Sequence, residues 1–96
     1  MEEVKSAVIK PKARSEVIEE WIGQEIFLYD QNNGQEVHCL NSGAALIWLL
    51  CDGTRNVEAI ALDITQAFHL PDGQVLGEVQ ETVARLDALG LVESGT

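Results

Sequence analysis

The residues that most invite chemistry in this chain are His38, Cys39, Cys51 and His69, its only imidazoles and thiols. Gathered in one place they would suit zinc, which takes four nitrogen or sulfur ligands in a tetrahedron. Their spacing follows none of the paired-ligand patterns of such sites, and His38 and Cys39, as neighbours on an extended segment, point to opposite faces. Two cysteines with no CxxC spacing read as buried thiols rather than a disulfide. The chain carries no cysteine triplet for an iron–sulfur cluster, no glycine-rich phosphate loop, and no motif around a serine nucleophile. The expectation is therefore recognition rather than reaction: no enzyme, no metal and no cofactor.

Charge narrows what is recognised. Four of the six basic residues, Lys5, Lys10, Lys12 and Arg14, fall in the first 14 positions, leaving only Arg55 and Arg85 beyond Ser15. Setting Glu2 and Glu3 aside from the 16 acids, the body carries 14 acidic residues against those two arginines. Such a field repels phosphate backbones, which argues against nucleic acid as a partner. No apolar run approaches the roughly 18 residues of a membrane span, and Met1 to Arg14 lacks the apolar stretch of a secretory signal, so a cytoplasmic protein is expected.

With 96 residues, 46% of them hydrophobic, the chain makes one domain with one small core. Residues 1–12 read as a loosely ordered segment ending near Pro11, and residues 13–93 as the domain. "SEVIEEWIG" reads as a first strand with a turn at Gly23, and "QEIFLYD" as a second, β-branched and aromatic. Asn33-Gly34 in "DQNNGQ" supplies a turn, from which "EVHCL", Glu36 to Leu40, returns as the third strand. Asn41 or Ser42 then caps a helix that runs to about Cys51 and stops at Asp52-Gly53. This helix is apolar on every side from Ala44 to Cys51 and should be enclosed by its neighbours.

A second helix starts at the Asn56 cap with Val57, Ile60, Ile64 and Phe68 on one stripe, ending at Leu70-Pro71. A third spans about Asp72 to Leu89 with Val75, Val79, Val83 and Leu86 at helical spacing, and Gly90 closes it. Gly77 inside it marks either a close backbone approach or a late start. The outcome is an α+β domain: a small antiparallel three-stranded sheet followed by three helices, of winged-helix type.

From about Pro11 to Val92 the chain resembles the PqqD family of precursor-peptide recognition domains. The resemblance rests on "LYD", the Gly34 and Val37 of "NNGQEV", "LN" at Leu40-Asn41, "IWLLCDGTRNVEAIA" from Ile47 to Ala61, and "LDALGLV" from Leu86 to Val92. It implies a peptide chaperone that binds the leader of a ribosomally made, post-translationally modified precursor and presents it to a modifying enzyme. In the namesake case that enzyme is a radical-SAM protein of pyrroloquinoline quinone biosynthesis. It further implies that the leader adds as a strand to the edge of Glu36, Val37, His38, Cys39 and Leu40, covering a cleft against the third helix. An open sheet edge beside an apolar helix suits strand addition on physical grounds as well.

The resulting peptide-binding candidates on the third helix are Val75, Glu78, Val79, Thr82, Val83, Arg85 and Leu86. For the apolar ones, and for Leu76, core packing is the plainer role, and the sequence suggests that about half face the cleft. Of the strand residues, Leu40 is expected in the core. Arg85, the lone cation of an acidic helix, either receives a leader carboxylate or pairs with Glu81 one turn earlier. Two other functions compete: recognition of a lasso-peptide precursor for a leader protease, and a winged-helix DNA-binding protein. Against the second, the third helix offers only Gln74, Gln80 and Arg85 to a groove, among Glu78, Glu81 and Asp87. No membrane partner is expected, and a monomer or a weak edge-paired dimer is.

Overall fold

The computed structural model describes residues 10–30, 36–71 and 73–94. Eight elements follow one another: β1 (Pro11–Ala13), β2 (Val17–Ile22), β3 (Glu25–Asp30), β4 (His38–Leu40), α1 (Ser42–Leu49), α2 (Val57–Phe68), α3 (Gln74–Ala88) and β5 (Val92–Ser94). The sheet expected from the sequence is present as an antiparallel β2-β3-β4 array, followed by three helices in the expected order. β2 and β3 pair from Val17 opposite Asp30 to Ile22 opposite Glu25, joined by the two-residue turn Gly23-Gln24. Gly23 at φ 64° supplies the left-handed residue that such a tight hairpin needs. The Asn33-Gly34 turn lies outside the described residues.

The sheet's period of two decides its faces. Ile26 and Leu28 point inward and are fully buried, and Leu40, opposite Ile26, joins them as expected. Trp48 of α1 is buried, its indole donating to Glu19 Oε1 at 2.6 Å. That bond satisfies the ring nitrogen, which burial would otherwise leave costly. Val75, Val79, Val83 and Leu86 form the inward stripe of α3 against Ile60 and Ile64 of α2.

The helix ends are written in the sequence. Asn41 Oδ1 accepts from the Ala44 amide at 2.9 Å and Asn56 Oδ1 from the Ala59 amide at 2.8 Å. At the end of α3, Gly90 at φ 76° lets the Leu91 amide reach the Leu86 carbonyl and the Gly90 amide the Asp87 carbonyl. That double closure with a left-handed glycine, and with Leu91 and Leu86 both buried, is the Schellman arrangement.

Several expectations change. Pro11 and Lys12 are not part of a loose segment: with Ala13 they form β1, pairing with β5, and Pro11 is fully buried. Neither three-residue strand is long enough to show a period, so both were invisible to pattern. α1 ends at Leu49 rather than about Cys51, and Gly53 serves elsewhere, donating its amide to the Pro11 carbonyl. α2 closes on His69 in the left-handed conformation, φ 56°, ahead of Leu70-Pro71. α3 starts at Gln74, and among the described residues nothing approaches the position where a Gly77 side chain would stand, so neither role expected of Gly77 holds there. Among the described residues no helix is long and apolar enough to cross a membrane.

Candidate functional site

Two features lie open at one end of the molecule. The first is β4, which among the described residues pairs with β3 alone, so that no described strand occupies the main-chain groups of its other edge. The second is a groove of about 1140 Å³ between α1, the end of α2 and the outer flank of α3. The Asn41–Gly43 joint links them: it leaves β4 directly and lines the groove.

α3 meets the groove one residue out of step with its core stripe. Glu78, Glu81, Thr82 and Arg85 line it, whereas Val79, Val83 and Leu86 turn away and are 0–2% exposed. Val79, Val83 and Leu86 therefore correct the sequence reading, which placed about half of the apolar residues at the cleft. The 3.6-residue repeat turns Val79, Val83 and Leu86 into the core and leaves the neighbouring polar stripe for the groove. Val75, buried itself, forms part of the groove wall, and Leu76 is half-buried.

The strand candidates divide by face. Leu40 is core; His38 shares its face and is half-buried, its Nε2 3.6 Å from Glu36 Oε1. Cys39 is exposed on the outer face, 4.0 Å from Glu25 Oε1, against the expectation of two buried thiols. Val37 is exposed. None of Glu36 to Leu40 lines the groove, which touches the strand only through Asn41. Cys51 is buried, and burial first and the Asp52 charge second push its thiol up to about 12, so it stays a neutral packing group.

Arg85 is exposed, lines the groove and has no ion-pair partner among the described residues; Glu81, one turn earlier, does not come within pairing distance. Four apolar groove residues were not singled out from the sequence: Trp21, Leu49, Phe68 and Leu70. They are 36–57% exposed. Phe68 was expected on the core stripe of α2, but it is the last residue of that helix and overruns the core. Leu49 shows that α1 is not enclosed all round: its apolar surface has one flank open to the groove. Trp21 was legible in principle, since alternation puts it on the core face opposite Ile26, at the sheet's end where the core runs out.

The described residues thus form an α+β domain of winged-helix type in which a strand edge meets a groove lined by apolar and charged side chains. The family profile described as coenzyme PQQ synthesis protein D (PqqD) matches residues 25–92, and the chain belongs to that family. Among solved structures it is similar to TbiB1 in complex with the TbiA(beta) leader peptide, with a TM-score of 0.73 and 21% identity. That likeness covers 85% of this chain and 94% of the other, and shows a common fold. No curated protein matches the chain.

Proposed function

We propose that this protein is a non-catalytic carrier that captures the leader region of a ribosomally made precursor peptide as a fourth strand on β4 and presents it to a modifying enzyme. The observation that carries the reading is the β4 edge, unpaired among the described residues, running through Asn41 into the groove. Membership of the PqqD family supports it, as does the leader peptide held by the similarly folded TbiB1. The leader's main chain bonds to the edge of His38 to Leu40, and its side chains reach the groove face of Val75, Glu78, Thr82 and Arg85. The acceptor enzyme in this reading is a radical-SAM protein, as the family's link to PQQ synthesis favours.

The energetics suit transient capture. Each buried leader anchor gives about 1.5–3 kcal/mol, and each main-chain hydrogen bond adds about 0.5–1.5 kcal/mol. Ordering a flexible peptide costs roughly 2–5 kcal/mol or more. Two or three anchors with a few strand bonds reach the micromolar range, tight enough to hold and loose enough to release. The Asn41 cap fixes β4 to α1 before the peptide arrives, which lowers the ordering cost on the protein's side.

Proline substitution tests the strand. Of His38 and Cys39, successive residues on β4, one directs its amide to β3 and the other to the open edge. His38→Pro and Cys39→Pro are compared by circular dichroism and by calorimetric titration with the synthetic leader of the precursor encoded beside the gene. The variant that stays folded should bind roughly two- to tenfold more weakly through the lost hydrogen bond. Full-strength binding by that folded variant would move the site off β4.

A further inference from the structure

The groove face of α3 carries an ordered set of chemistries along its axis. At its start, beside the turn from α2, stand Phe68, Leu70 and Val75; about one turn on is Glu78 and nearly two turns on Glu81; at the far end is Arg85, unpaired among the described residues. The order is fixed by helix register and by the short connection from Phe68 to Gln74, and all six residues line one groove. From Val75 to Arg85 the helix rises about 15 Å, and from Glu78 to Arg85 about 10 Å. An extended peptide advances about 3.3 Å per residue, so these spans correspond to four or five residues and about three residues of ligand.

We infer that the groove selects a peptide segment in which a bulky apolar side chain and a carboxylate stand four or five residues apart, with a lysine or arginine between them. This rests on the proposed peptide-carrier reading and names the sequence class that the carrier takes. The carboxylate pairs with Arg85, the apolar side chain covers Phe68 and Leu70, and the cation faces Glu78 and Glu81. A purely acidic segment is repelled by the two glutamates and by the acidic body, and a cation at the position opposite Arg85 is repelled there, so the charge pattern acts mainly as discrimination of the order of charges.

Selection from a displayed library of random twelve-residue peptides tests this, run in parallel on the immobilised wild-type chain, on Arg85→Glu and on the folded β4 proline variant. Wild type should enrich Asp or Glu at four or five residues from a bulky apolar position, and Arg85→Glu should enrich Lys or Arg there instead. A carboxylate peptide from the wild-type pool should bind Arg85→Glu about tenfold more weakly and recover when its acid is changed to lysine, a reversal that general destabilisation does not produce. An identical consensus for wild type and Arg85→Glu, with enrichment lost only in the proline variant, would overturn this inference and leave the strand reading standing. Failure of the wild-type chain to enrich any peptide would overturn both.

Discussion

The two arginines of the body sit in opposite circumstances. Arg55 is held from both sides, its Nη1 3.1 Å from Asp52 Oδ2 and its Nε 2.7 Å from Asp63 Oδ2. Asp52 in turn accepts from the Thr54 amide and hydroxyl, and its neighbour Gly53 is tied to β1 through Pro11. Arg85 stands in an open groove without such a partner among the described residues. The contrast separates charge that closes the fold from charge left available to a ligand, in a chain where both are single cations amid acids.

That contrast can be broken most forcefully on α3 itself. Leu86→Ala, which empties a fully buried position, should destabilise the chain by about 2–5 kcal/mol in denaturant unfolding. Thr82→Ala, on the groove flank, should cost far less; equal losses would mean that the two stripes of α3 are not distinct. At the arginines, Arg55→Ala should lower stability by about 1 kcal/mol, since its pairs are partly exposed, and leave peptide binding intact. Arg85→Ala should do the reverse, with stability within about 0.5 kcal/mol of wild type and weakened binding.

Acid sharpens the same comparison. Hydrogen bonds from the Thr54 hydroxyl and amide, together with Arg55, hold the Asp52 carboxyl below the usual carboxylate range. Its folded value lies below its unfolded one, so its contribution is present above the unfolded value and disappears as pH falls through the folded one. The stability gap between wild type and Asp52→Asn should therefore be widest near neutrality and close as the medium drops below the ordinary carboxylate range. A gap independent of pH would detach Asp52 from the clasp around Arg55.

The smallest expected effect is at Gly77, exposed and with open space where a side chain would stand. Gly77→Ala should raise stability by about 0.5–1 kcal/mol, because alanine loses less backbone entropy in a helix. Lower stability would reveal a packing role for Gly77.

The sheet order, the three helices and their caps at Asn41, Asn56 and Gly90 were legible because period and cap chemistry are local properties. β1 and β5 were not, since their pairing depends on chain ends brought together only by the fold. The same limit governs the site. Glu78, Thr82 and Arg85 were legible as polar positions, but the sequence did not say that the stripe of Val79, Val83 and Leu86 faces wholly inward. Phe68 and Leu49 look like core in any helical pattern; their exposure follows from where α2 ends and from the flank that no described element covers.

The central claim, that β4 and the groove flank of α3 together take a leader peptide, is tested most directly by an amide NMR titration of the full chain with that synthetic leader. The account predicts shifts concentrated on His38 to Leu40, on the Asn41–Gly43 joint, and on Glu78, Thr82 and Arg85, with the β1–β5 pair and the Arg55 clasp unmoved. Shifts confined to the clasp, or a titration with duplex DNA that moves α3 while the leader moves nothing, would contradict it.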